Sequence, residues 1–254
     1  MTRHVFGAEL TPETCRMVAI RVQRGAAPRV DAIGTWSLGD PELSAHLRRF
    51  RRDHHLPQHL RVAMWPQRDA RGVVPLFTPD DGPASYVPTL TALKAREAAA
   101  PLVRAGYIID DAVPVRRAAL GVARRLGLEQ ALTIVANRHG AVLTAGDDSA
   151  HLAWPAGLVE NTSPNGLLAR YRLIAALAPH VRHVMGPRTR PMVACGDIPG
   201  LRSFVLPLVE EFDQEVVVLD QPDDDLPAEE GLISDPDQQA ALQVAAVVAL
   251  GTDQ

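Results

Sequence analysis

The order of apolar runs along this chain repeats once, and that repetition limits the folds open to it more than any single motif does. Residues 3–10, 15–22 and 29–36 are alternating or β-branched runs separated by turn residues that include Thr11-Pro12 and Gly25, a pattern that predicts three strands in a meander. A helical pattern opens at Pro41-Glu42 and runs to Asp53, and residues 60–65 read as a strand. A Pro/Gly/Asp-rich loop is expected over 66–88, then a helix from about Thr89 to Arg104 with Gly106 as its stop. A strand over 107–111 and a helix over 114–126 close the first half, the helix having Pro near its start and Gly127 after its end. The second half follows the same order. Strands are expected over 132–137, 141–145 and 149–154, a helix from Ser163 to about Val181, a strand over 191–195, a helix over 201–212, a strand over 215–219 and a helix over 235–250. Each half therefore reads βββαβαβα, which gives two subdomains over 1–128 and 129–254. Strands separated by helices need right-handed crossovers and a buried, mostly parallel core, and Val216-Val217-Val218 is apolar enough for one.

Composition removes several classes of function. In a chain of 254 residues, 26 basic against 30 acidic side chains leave a net charge of -4, so no basic excess is present to hold nucleic acid or an anionic membrane. The Arg48-Arg49 and Arg51-Arg52 cluster reads as a solvated helix face. Cys15 and Cys195 are the two cysteines, too few for a disulfide framework or a cysteine-rich zinc site, and a cytoplasmic setting is expected. No run reaches the roughly 18 to 20 apolar residues of a bilayer span, and residues 1–5 lack a signal-peptide core. Any link to a membrane would pass through a partner. His55 and His59 have i, i+4 spacing, but Pro57 between them argues against a shared helix and so against a metal site. No G-x-S-x-G turn marks a hydrolase nucleophile.

Four segments resemble the actin, sugar-kinase and heat-shock-chaperone superfamily, PilM-type and FtsA-type proteins in particular. Residues 5–16 look like its first phosphate loop, 133–140 its second, 193–201 its adenosine motif and the Ala-rich C-terminal run its closing helix; Ala105-Gly106 resembles its helix-to-strand junction. The resemblance implies a duplicated ribonuclease-H-like fold, without the large inserted subdomains, in which two hairpin turns approach a nucleotide from both sides. That chemistry needs carboxylates to hold Mg²⁺ and glycines that let backbone N–H groups touch phosphate. In the first loop Glu9 matches the family aspartate, Thr11 stands where glycine is usual, Pro12 removes a donor, and Arg16 matches a phosphate-contacting lysine. In the second, Ala136 replaces the aspartate and is followed by Asn137, Arg138, His139 and Gly140. The third keeps Gly196, Asp197 and Gly200 at a strand-to-helix turn, with Cys195 in place of a glycine.

These departures make Glu9, Thr11, Arg16, Asn137, His139, Gly140, Gly196, Asp197 and Gly200 a vestigial nucleotide site with no catalytic residue. A missing carboxylate cannot orient metal or water, and positioning is nearly all of phosphoryl-transfer catalysis. The expected function is an actin-like pseudo-ATPase without a tight cofactor, with at most weak ATP/Mg binding. It would act as a scaffold for an envelope-associated complex by engaging the cytoplasmic tail of a membrane protein. The alternatives are a weakly active ATP-binding switch and a regulatory subunit of a larger complex, with the 66–88 loop as a docking element.

Overall fold

Glu9 pairs directly with Arg16 because the first hairpin turns through only a few residues at Thr11-Pro12-Glu13, and this register decides which side chains share a face. In the computed structural model, which describes residues 2–65, 67–69, 72–74, 77–79, 88–90, 98–154, 167–220, 226–228, 232–233 and 235–251, strands β1 (Thr2–Leu10), β2 (Thr14–Gln23) and β3 (Arg29–Ser37) form the expected meander. Helix α1 (Leu43–Asp53) leads to β4 (His59–Met64), which adds parallel to β1. Helix α2 (Ala100–Arg104) leads to β9 (Ile108–Pro114), parallel to β4, and helix α3 (Val115–Arg125) follows. The first sheet thus has the order β3-β2-β1-β4-β9.

The second sheet repeats this plan with β10 (Leu132–Asn137), β11 (Gly140–Ala145), β12 (Asp148–Ala153), β13 (Met192–Asp197) and β14 (Val216–Val218), in the order β12-β11-β10-β13-β14. Its helices are α4 (Leu167–Met185), α5 (Val205–Phe212) and the closing α6 (Pro236–Leu250). Two mixed five-stranded sheets with the same order of elements are the duplicated ribonuclease-H-like architecture.

Alternation on each strand sorts the core into layers. Phe6, Ala8 and Leu10 of β1 pack with Leu47 and Phe50 of α1 and Leu102 of α2 on the outer face of the first sheet. Leu132 and Ile134 pack with Leu173, Leu177 and Val181 of α4 on the outer face of the second. Between the sheets lie α3 and α6, whose Val122, Val244 and Val247 join Ala63 and Trp65 from one sheet to Val135, Val193 and Cys195 from the other. Residues 239–249 of α6 are all buried, and their alanines let backbones come close. At Gly7 a Cβ would fall 2.3 Å from the Ala245 carbonyl oxygen, so α6 lies on a strand position that only glycine fits.

The two cysteines are buried on different sheets. Cys15 sits on the outer face of β2 and Cys195 on the inner face of β13, and burial pushes both thiols up to about 12.

Three sequence expectations change. The segment read as a loop over 66–88 contains short strands β5 (Gln67–Asp69), β6 (Gly72–Val74), β7 (Phe77–Pro79) and β8 (Pro88–Leu90), paired as β5-β6 and β7-β8. The helix expected from Thr89 is replaced at its start by β8, where Pro88 and the β-branched Thr89 favour extended backbone, while the rest of that start falls outside the described residues. The helix expected over 201–212 divides into a 3₁₀ turn (Leu201–Phe204) and α5, since Pro207 has no N–H to give to the Ser203 carbonyl. Ser163, the expected start of α4, also lies outside the described residues.

Candidate functional site

The C-terminal ends of β1, β4, β10 and β13 converge between the sheets, the position where open α/β sheets place ligand sites. Glu9 and Arg16 project from β1 and β2 toward α6, because the same alternation that buries Leu10 and Cys15 on the outer face turns them inward. Arg16 Nη1 donates to Glu9 Oε2 at 3.0 Å and to the Ala241 carbonyl of α6 at 3.3 Å. Its Nη2 donates to Asp197 Oδ2, at the end of β13 in the other half, at 2.7 Å. The second oxygen of Glu9 accepts the Trp65 indole N–H at 2.6 Å. One guanidinium thus joins carboxylates from both sheets to the helix between them.

Glu9 is 1% exposed and Arg16 6% exposed, so this is a desolvated ion-pair network. Burial pushes the Glu9 carboxyl above the usual carboxylate range, against the opposing pull of Arg16 and the Trp65 N–H. For Arg16 burial again works against charge, but Glu9 and Asp197 together outweigh it and hold the guanidinium pKa above its ordinary value. A buried group that bridges two carboxylates has to remain a cation.

The first turn closes on itself. Thr11 N–H donates to the Thr14 carbonyl at 2.9 Å, Pro12 has no N–H, and the N–H groups of Glu13 and Thr14 both donate to Thr11 Oγ1, at 3.2 and 2.9 Å. The Thr11 hydroxyl fills the concavity that glycine would leave open. The second turn does the same: Asn137 Oδ1 accepts from His139 N at 2.7 Å and Gly140 N at 3.0 Å. Asn137 Nδ2 is buried and has no hydrogen-bond partner among the described residues. The two turns also touch, His139 Nε2 lying 3.5 Å from Glu13 Oε2.

At the third motif Gly196 has φ +117°, and a Cβ there would sit 2.0 Å from the Ala136 carbonyl oxygen, so parallel pairing of β13 with β10 itself demands glycine. Gly200 is left-handed at φ +65°, and its N–H donates to both oxygens of Asp237, at 3.0 and 2.9 Å, from the first turn of α6. The anion-binding end of the Leu201–Phe212 helical run is thereby capped by a carboxylate of the chain's own.

The nine sequence candidates gather at these three turns. Glu9, Arg16 and Asp197 meet in one hydrogen-bonded group, and Asn137 lies beside Asp197 in the β10-β13 register. Thr11, His139 and Gly140 belong to the two hairpin turns, and Gly196 and Gly200 to the strand-to-helix turn. Trp65, Asp237 and Glu13 were not among the candidates. A buried indole N–H needs an acceptor, which is the signal Trp65 carries; Asp237 and Glu13 gain meaning only from the tertiary arrangement. Among the described residues no group of three or more His, Cys, Asp and Glu side chains is placed to hold a metal ion, and no helix is long and apolar enough to cross a membrane.

No protein-family model matches the sequence, and no curated protein matches it. Solved structures do. The chain is similar to one from a PilM-PilN type IV pilus biogenesis complex (TM-score 0.61, 12% identity, 98% of each chain covered). It is similar to the ethanolamine utilization protein EutJ from Carboxydothermus hydrogenoformans (TM-score 0.59, 11% identity, covering 98% of this chain and 89% of that one). It also resembles the activator of the 2-hydroxyisocaproyl-CoA dehydratase from Clostridium difficile with bound ADPNP (TM-score 0.57, 11% identity, 99% and 95% covered). Agreement over nearly the whole chain at such low identity is agreement of fold, and with two five-stranded sheets of matching order it establishes that this chain has the actin-like ATPase fold.

Proposed function

We infer that this chain is an actin-like pseudo-ATPase that serves as a scaffold, holding its two halves together with an internal ion-pair network where relatives of the fold hold a nucleotide. The observation that carries the reading is Arg16 bridging Glu9 and Asp197. A phosphate group would have to take Arg16 from two buried carboxylates, and a metal ion would have to displace Arg16 and Trp65 from Glu9. The hairpin N–H groups that would cradle phosphate are satisfied by Thr11 and Asn137. These residues do not fit a Mg-nucleotide. The partner in this reading is a protein, the cytoplasmic tail of a membrane component of an envelope complex, supported by the likeness to a chain from a two-protein pilus complex. That role places the chain at the inner face of the membrane, held there by its partner.

Calorimetric titration with MgATP tests the reading: the expected result is no saturable heat up to millimolar nucleotide. Saturable micromolar binding, abolished by Glu9→Ala in a variant that keeps its fold, would overturn it. It would favour a nucleotide-binding switch, a reading supported by the similarity to an activator with bound ADPNP and by the unpartnered Asn137 Nδ2.

A further inference from the structure

Away from the ion-pair site, the opposite ends of β1 and β4 frame a cavity of about 330 Å³ against the last turn of α6. Its floor is apolar: Phe6, Leu60 and Ala249 are buried there, with Val5 and Leu250 half-buried beside them. Its rim is cationic. Strand alternation puts Arg3 on the face of β1 that carries Val5, and Arg61 on the face of β4 that carries Ala63, so both arginines flank the side on which α6 lies.

The histidines of the rim are engaged and its arginines are not. A bulge at Leu60/Arg61 in the pairing of β4 with β9 leaves Asp110 out of register, and its Oδ1 lies 2.7 Å from His59 Nδ1. His4 Nε2 lies 3.0 Å from Asp31 Oδ2. The side chains of Arg3 and Arg61 have neither an ion pair nor a hydrogen bond among the described residues. The carbonyl end of α6 faces the same cavity and favours cations there, yet neither guanidinium donates to it. In a chain of net charge -4, two uncompensated cations beside an apolar hollow mark a place where an anion is wanted.

We propose that this cavity binds a small organic acid with an apolar body, an aliphatic monocarboxylate of medium length, its tail on the apolar floor and its carboxylate held by Arg3 and Arg61. The volume suits such a ligand, since pockets for small molecules begin near ~300 Å³. A carboxylate matches the paired N–H donors of a guanidinium. Charge selects the monoanion: no helix N-terminus is offered, and the carbonyl end of α6 with Asp110 repels a phosphate dianion more than a singly charged acid. The site is independent of the Arg16 network and of whether nucleotide binds, because it lies at the starts of the two strands whose far ends lead to Glu9 and Trp65.

The test is calorimetric titration of the full chain with sodium octanoate at fixed ionic strength, compared with sodium acetate and with neutral octanamide of the same length. Octanoate is expected to saturate with a midpoint below about 1 mM, octanamide to bind at least tenfold more weakly, and acetate to give no saturable heat. Arg3→Gln together with Arg61→Gln should weaken octanoate at least tenfold. Both side chains are exposed and unpaired, so the double variant is expected to keep its fold, which far-ultraviolet dichroism checks. Leu250→Trp, which fills the cavity and leaves its charges in place, should weaken octanoate as well. Should a variant misfold, octanoate against octanamide on the unaltered chain still decides. The proposal is overturned by an absence of saturation, by octanamide or acetate binding as tightly as octanoate, or by octanoate binding that is unchanged in the folded double variant.

Discussion

At the scale of single residues, Arg16 has the largest consequences. Replacing it with Met leaves Glu9 and Asp197 facing each other without a cation, and removing one partner of a buried pair typically costs about 3–5 kcal/mol. Urea denaturation of Arg16→Met is expected to show a loss of this size at neutral pH and a smaller loss at acid pH, since burial already raises the Glu9 carboxyl and protonation removes the uncompensated charge. An equal loss in both conditions would mean that no buried charge had been exposed. Gly196→Ala is expected to cost about 3 kcal/mol or more, because a positive φ and a Cβ 2.0 Å from the Ala136 carbonyl combine at one position. These roles were unequally legible in the sequence. Glu9, Arg16 and Asp197 are nameable as charged residues beside turns, and the short hairpin even fixes Glu9 opposite Arg16. That Arg16 reaches Asp197, 181 positions away, depends on how two sheets face each other, and no local pattern encodes it. Gly196 misleads for a related reason: a glycine at a strand-to-helix turn reads as room for a ligand, whereas here the room is taken by the neighbouring strand.

Among elements, the strands were the most legible, since runs of six to ten residues carry a clear period and burial follows it. Strands of three residues, β5 to β8, are too short to show any period, which is why that segment read as a loop. The start of α6 is set by Asp235, whose side chain accepts from Asp237 N–H, while Asp237 caps the neighbouring turn through Gly200. Strand β12 carries a pH response. Burial, with a contribution from His180, lowers the pKa of the partly buried His151 from 6.5 to about 4. The unfolded chain therefore takes up a proton near pH 6.5 that the folded chain refuses until about pH 4. Stability is full above pH 6.5, falls between those values, and levels off below, by at most about 3 kcal/mol before screening by solvent reduces it. His151→Gln should flatten that part of a plot of unfolding free energy against pH, and an unchanged slope would assign it to other groups.

For the whole molecule, the decisive element is α6, which lies between the sheets and brings the end of the chain back onto β1 and β13. The duplication was visible in the sequence as repeated order, but this interleaving was not, because an apolar helix reveals that it is buried without revealing against what. Its placement predicts one cooperative transition. Intrinsic fluorescence, drawn from Trp36 and Trp65 in the first half and Trp154 in the second, should change together with far-ultraviolet dichroism in denaturant. Gly7→Ala, which drives a methyl group into the Ala245 carbonyl, should lower both midpoints equally. Two separated transitions would show that α6 does not bind the halves into one unit. The buried cysteines add something different: a pair of native clocks. Each thiol is held protonated in a different layer, so an alkylating reagent can mark Cys15 only when the outer face of the first sheet opens and Cys195 only when the layer between the sheets does. Comparing the two labelling rates by mass spectrometry would time the breathing of the outer layer and of the layer between the sheets separately, with no engineered probe.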